Sequence, residues 1–93
     1  MDTKSYYAMT FYNTTDTMQT EKKAKALFPI RVMPTPRAVS VSCGLAIRFE
    51  GEDEAAYTEF AKNLTVPVGL YHIEPDEGGE MLSRAIFVRE PYK

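Results

Sequence analysis

The lone cysteine of this chain, Cys43, stands in the run PTPRAVSVSCGLAIRF, residues 34–49. Pro34 and Pro36 fix the backbone ahead of Arg37. Ser40 and Ser42 bring hydroxyls, and Gly44 brings a backbone N–H. A cation and several donors around a thiol favour its thiolate, which is the nucleophilic form. The competing reading is a small buried hydrophobe at a strand start, as free cysteines often are. An apolar slot would not need serines just before it, a glycine after it and an arginine among prolines.

Other chemistries fit less well. His72 is the only histidine and Cys43 the only cysteine, so one chain cannot assemble a structural zinc set. Neither a metal nor a cofactor is expected. A Cys–His dyad would need His72 within hydrogen-bond reach of Cys43, and the topology below puts His72 some way down its strand. The formal net charge is −2 and the isoelectric point about 5.4. That balance opposes a nucleic-acid surface, which needs clustered Lys and Arg, and a basic membrane-binding face. Strand aromatics could stack bases, but no basic signature accompanies them. A single cysteine forms no internal disulfide. The start, MDTKSYY, has no apolar core of a leader, and no run approaches the ~18 apolar residues of a membrane span. The expectation is a cytoplasmic protein without nucleic-acid or membrane partners.

The elements that must position the thiol follow from patterning. The 93 residues are 44% hydrophobic and 26% charged, the profile of one globular domain. Residues 5–12 alternate: Tyr7, Met9 and Phe11 share one face, Tyr6, Ala8, Thr10 and Tyr12 the other. Asn13, Thr14 and Thr15 offer capping side chains, and residues 15–27 read as a helix with Met18, Ala24 and Phe28 on its stripe. Glu21 falls on that stripe too, either as a charge at the edge of the core or as a partner for Arg37 or Arg48. Pro29 ends the helix. Residues 30–34 read as a short strand that Pro34 assigns to an edge. Residues 44–50 alternate with Leu45, Ile47 and Phe49 inward. Residues 51–64 form a helix with an acidic first turn and an apolar face of Ala56, Tyr57, Phe60 and Leu64. Residues 68–74 are a strand, and 82–90, which alternate weakly, a candidate fifth strand beside it.

The order β-α-β-β-α-β predicts an α+β fold: a ferredoxin-like sandwich with a four-stranded antiparallel sheet, order 4-1-3-2, and two helices on one face. It is read as a single domain over 1–93, with a core at about 5–74 and a C-terminal extension at about 75–93. The loop before the third strand and the start of the first helix then lie at the same end. Cys43 is expected near the positive end of that helix, where Thr14 sits. The opposite sheet face is expected to be bare, exposing Tyr6, Tyr12, Ala46 and Arg48. A bare face invites a homodimer or another partner.

The residues YYAMTFYNTTDTMQTEK, followed by IRVMPTPRAVSVSCGLAIRF, resemble the bacterial Se/S carrier protein-like family over roughly residues 6–73. Members carry PTPR, then a serine-rich SSCG and a strand ending RF. Val41 departs from that pattern, standing where the family usually has serine. The resemblance implies a carrier that holds sulfur or selenium on Cys43 as a persulfide or selenopersulfide. Arg37, Ser42 and Gly44 match the motif neighbours of that cysteine. It also implies a chalcogen donor such as a cysteine desulfurase, and a sulfurtransferase-like acceptor linked to selenium metabolism. Such a chain is an accessory carrier rather than a free-standing enzyme. The alternative function is a non-catalytic interaction or regulatory domain that uses the open sheet face; it would be indifferent to serine at position 43.

Overall fold

Alternation of apolar side chains commits residues 6–10 to a strand, and the structure, a computed structural model describing residues 5–36, 39 and 44–90, has β1 at Tyr6–Thr10. The chain continues through α1 (Thr14–Lys25), β2 (Ile30–Pro34), β3 (Leu45–Phe49), α2 (Glu54–Lys62), β4 (Val68–Pro75) and β5 (Met81–Arg89). The strands form one sheet of order β2-β3-β1-β4-β5, and every pairing is antiparallel. The sheet thus has a fifth strand beyond the expected four, and the candidate strand at 82–90 is that strand, β5, beside β4. β2 occupies an edge, as Pro34 requires.

β5 reads weakly in sequence for two reasons. It is the other edge, so few of its side chains are buried. Its register also slips: Leu70 faces Phe87 while Tyr71 faces Ala85. Ile86 is the extra residue of this bulge, and the period of two breaks there. Both Ile86 and Phe87 pack against the main core.

That core lies between the helices and one sheet face. Tyr7, Met9, Ile47, Phe49, Val68 and Leu70 meet Tyr57, Ala61 and Leu64. Phe28, just after α1, sets its ring edge-on to Phe49, Tyr57 and Phe60 at centroid distances of 5.5, 5.2 and 5.7 Å. Tyr57 stacks on Phe49 at 4.0 Å. Edge-to-face and stacked rings add stability beyond their buried area, so this cluster is the tightest joint between helices and sheet. Both helices cover the same face, as right-handed crossovers from β1 to β2 and from β3 to β4 demand.

The helices are held at their ends by side chains. Asn13 caps α1, its Oδ1 accepting from the Asp16 N–H at 2.8 Å. Asp53 does the same for α2 through the Ala56 N–H. The α1 stripe differs from expectation: Thr17, Thr20 and Ala24 are buried, while Met18 is 42% exposed. The Thr17 hydroxyl donates to the Asn13 carbonyl at 3.0 Å, which lets a polar residue turn its methyl inward. At the other end of α2, Arg89 donates to the carbonyls of Leu64 (2.7 Å), Lys62 (3.3 Å) and Ala61 (3.5 Å). Arg84 meets Glu54 at 3.3 Å, so β5 grips α2 at both ends. No helix among the described residues is long and apolar enough to cross a membrane.

Candidate functional site

Among the residues expected to form the site, Cys43, Arg37, Ser40 and Ser42 lie outside the described residues. Its borders are described. β2 ends at Pro34, and the Thr35 N–H donates to the Gly44 carbonyl at 2.9 Å, continuing the β2–β3 ladder past its last paired residues. The Val39 N–H donates to the Pro36 carbonyl at 3.0 Å, which makes a tight turn inside the loop. Gly44 is exposed, and a Cβ there would meet nothing within 4 Å, so sterics do not demand its glycine.

Thr10 pairs with Ala46, so β1 leaves the sheet at the end where Gly44 enters β3. α1 begins at that same end, with Thr14 exposed as its first residue. Asn13 rather than Thr14 is the cap. Its Nδ2 also donates to the Asp16 carboxylate at 3.1 Å. That carboxylate offsets part of the positive potential a helix start offers an anion.

Val39 adds a second direction. Its side chain is 7% exposed and packs with Ala8 and Ile73, flanked by Tyr6, Tyr71 and Met81. These belong to the sheet face away from the helices, so Val39 sits on that face. The expectation of a bare face is corrected accordingly. Ala46 is fully buried, and Tyr6, Tyr12 and Arg48 are half-buried rather than exposed. Val39, seated on the small residue Ala8 and on Ile73, covers part of this face.

Glu21 is half-buried on α1 and pairs with Lys25 one turn on, at 3.7 Å. It does not hold Arg48, which lies on the far sheet face with its guanidinium over the Tyr6 ring at 4.3 Å. Alternation places Arg48 on that face, which already sets it apart from a helix on the other. His72 lies on the helix-covered face, its ring tilted over Tyr7 at 4.6 Å and its Nδ1 3.7 Å from Glu74. No group of three or more metal-ligating side chains occurs among the described residues.

The sequence places Arg48 on the face away from the helices, and the structure adds its surroundings. The Arg48 Nε is buried without a hydrogen-bond partner. Burial raises the Tyr6 phenol above its ordinary value, and the Arg48 charge partly counters this. Alternation in GLAIRF was a signal for Arg48's face; its neighbours required the strand register.

Comparison with known proteins gives one positive result. A family model described as "Putative Se/S carrier protein-like" matches residues 6–72, which spans β1 to most of β4 and includes Cys43. No curated protein and no solved structure matches at a significant level. With well over half its length inside that model, the chain belongs to the Se/S carrier protein-like family.

Proposed function

We propose that this protein is a thiol-based carrier of sulfur or selenium, with Cys43 as the residue that holds the chalcogen. The observation that carries the reading is the family match, which runs through the Cys43 loop. Supporting it, the described flanks bring that loop to the end of the sheet where α1 begins. The step is a thiol–disulfide type exchange. The Cys43 thiolate attacks the terminal sulfur of a donor persulfide, R–S–SH. A new S–S bond forms on Cys43, the donor's S–S bond breaks, and R–S⁻ leaves with the electron pair. Selenium would follow the same course as a selenopersulfide. The implied partners are a cysteine desulfurase as donor and a sulfurtransferase-like protein as acceptor. Arg37, with the Ser40 and Ser42 hydroxyls and the Gly44 N–H, is assigned to stabilising the thiolate, and Thr14 to the helix end beside it.

The test is intact mass spectrometry after incubation with a cysteine desulfurase and cysteine. The expected result is an increment of one sulfur atom that reductant removes and Cys43→Ser abolishes. An unmodified wild-type protein would remove the carrier reading and leave the interaction-domain alternative.

A further inference from the structure

The sheet face away from the helices carries an arrangement that the carrier reading does not use. Arg31 of β2 and Arg48 of β3 are direct cross-strand partners. Their side chains therefore leave the same face side by side. Like charges placed opposite one another destabilise a sheet, and this chain is acidic overall. Glu50 answers only one of the two: its Oε2 is 2.6 Å from Arg31 Nε. Arg48 has no ion pair among the described residues, stacks on Tyr6 and keeps a buried, unpartnered Nε–H. Stacking occupies one flat side of a guanidinium, and its in-plane N–H edge, the part that matches a carboxylate or oxyanion, would reach an anion once the half-buried side chain shifts to expose Nε–H. A buried donor without a partner is a cost that such an anion would remove.

We propose that Arg48, with Arg31 beside it, forms a binding site for a small anion whose oxygens lie in a planar fork, a carboxylate or an oxyanion. Tyr6 holds the Arg48 guanidinium in place, and Glu50 competes with the anion for Arg31. Val39 packs on the same sheet face as Arg48. The site does not depend on Cys43 as a nucleophile.

The test uses Cys43→Ser protein, which cannot carry a chalcogen, so its outcome is separate from that of the carrier reading. Sodium acetate, thiosulfate and selenite are titrated against the protein labelled with nitrogen-15, with sodium chloride at matched ionic strength as reference. The expected result is a saturable shift of the Arg48 Nε–H resonance that chloride does not produce. Acetate alone shifting it identifies a carboxylate site; thiosulfate or selenite alone identifies an oxyanion site. Arg48→Gln should weaken binding by about tenfold or more, as loss of a charge-assisted pair implies. Glu50→Gln should tighten it severalfold by releasing Arg31, an effect no merely structural role of these residues gives. If Arg48→Gln does not fold, Arg31→Gln and Glu50→Gln report in opposite directions on the same site. A linear response equal to that of chloride, or unchanged affinity in Glu50→Gln and Arg31→Gln, overturns the proposal.

Discussion

At the scale of single residues, the chemistry rests on how far its surroundings move the Cys43 thiol. An ordinary thiol titrates near 8.5, about two units above the range where most of it would be ionised at neutral pH. In the carrier reading, Arg37 and neighbouring donors are proposed to lower that value. Iodoacetamide labelling of native protein should therefore show a midpoint below that of a free thiol, and Arg37→Ala should raise it. A midpoint at or above the free value, or labelling only after unfolding, would return Cys43 to a buried hydrophobe. Three tyrosines make a second residue-scale prediction. Burial is the largest cause raising Tyr6, Tyr7 and Tyr71 above their ordinary 10.0, and at Tyr7 the hydrogen bond to Glu54 adds to it. A native pKa above the unfolded one means the native state keeps its proton longer. Their contribution is thus complete below pH 10 and is lost as pH climbs through the raised values. Denaturant midpoints should fall above about pH 10, and Tyr7→Phe should make that fall shallower.

The elements were mostly legible from period and punctuation. β1, β2 and β3 follow their alternation, and the two helices start at Asn13 and Asp53, residue types suited to that place. The phase of α1 was not legible. Its buried positions are threonines, and a hydropathy pattern that favours Met18 cannot foresee a hydroxyl satisfied by the Asn13 carbonyl. Asn13→Ala should cost about 1 kcal/mol in chemical denaturation. Arg89→Ala should cost about 1–3 kcal/mol, because three carbonyls at and just beyond the end of α2 lose a charged donor. Tyr57→Ala, which empties the centre of the aromatic cluster, should cost about 3–5 kcal/mol. A ranking with Tyr57→Ala below Asn13→Ala would show that the cluster is not where the helices are fastened.

For the molecule as a whole, helix-and-strand order gave the class and both helices' common face. It could not give the occupancy of the other face. That depends on a ten-residue connection from Thr35 to Gly44 whose one described apolar anchor, Val39, carries no periodic signal. The pairing of Arg31 with Arg48 was equally hidden, since register is a property of two strands rather than one.

The family match stops at His72, yet β4 runs on to Pro75 and is paired along its whole length by β5. Without that strand, β4 would present one open edge along its eight residues, several of them apolar. β2, at the opposite border, is shorter and carries Arg31 and Pro34, the guards that discourage intruding chains. β4 has no comparable guard over Val68–Ile73. A chain cut after Pro75 is therefore expected to template on its own copies and form fibrillar or amorphous aggregates. Light scattering should rise with concentration and time in the truncated protein while the full chain stays clear. A truncated chain that stays dispersed would mean that α2 alone keeps β4 from recruiting a foreign strand. The outer strand of the β4–β5 hairpin is thus expected to act as this protein's safeguard against polymerising.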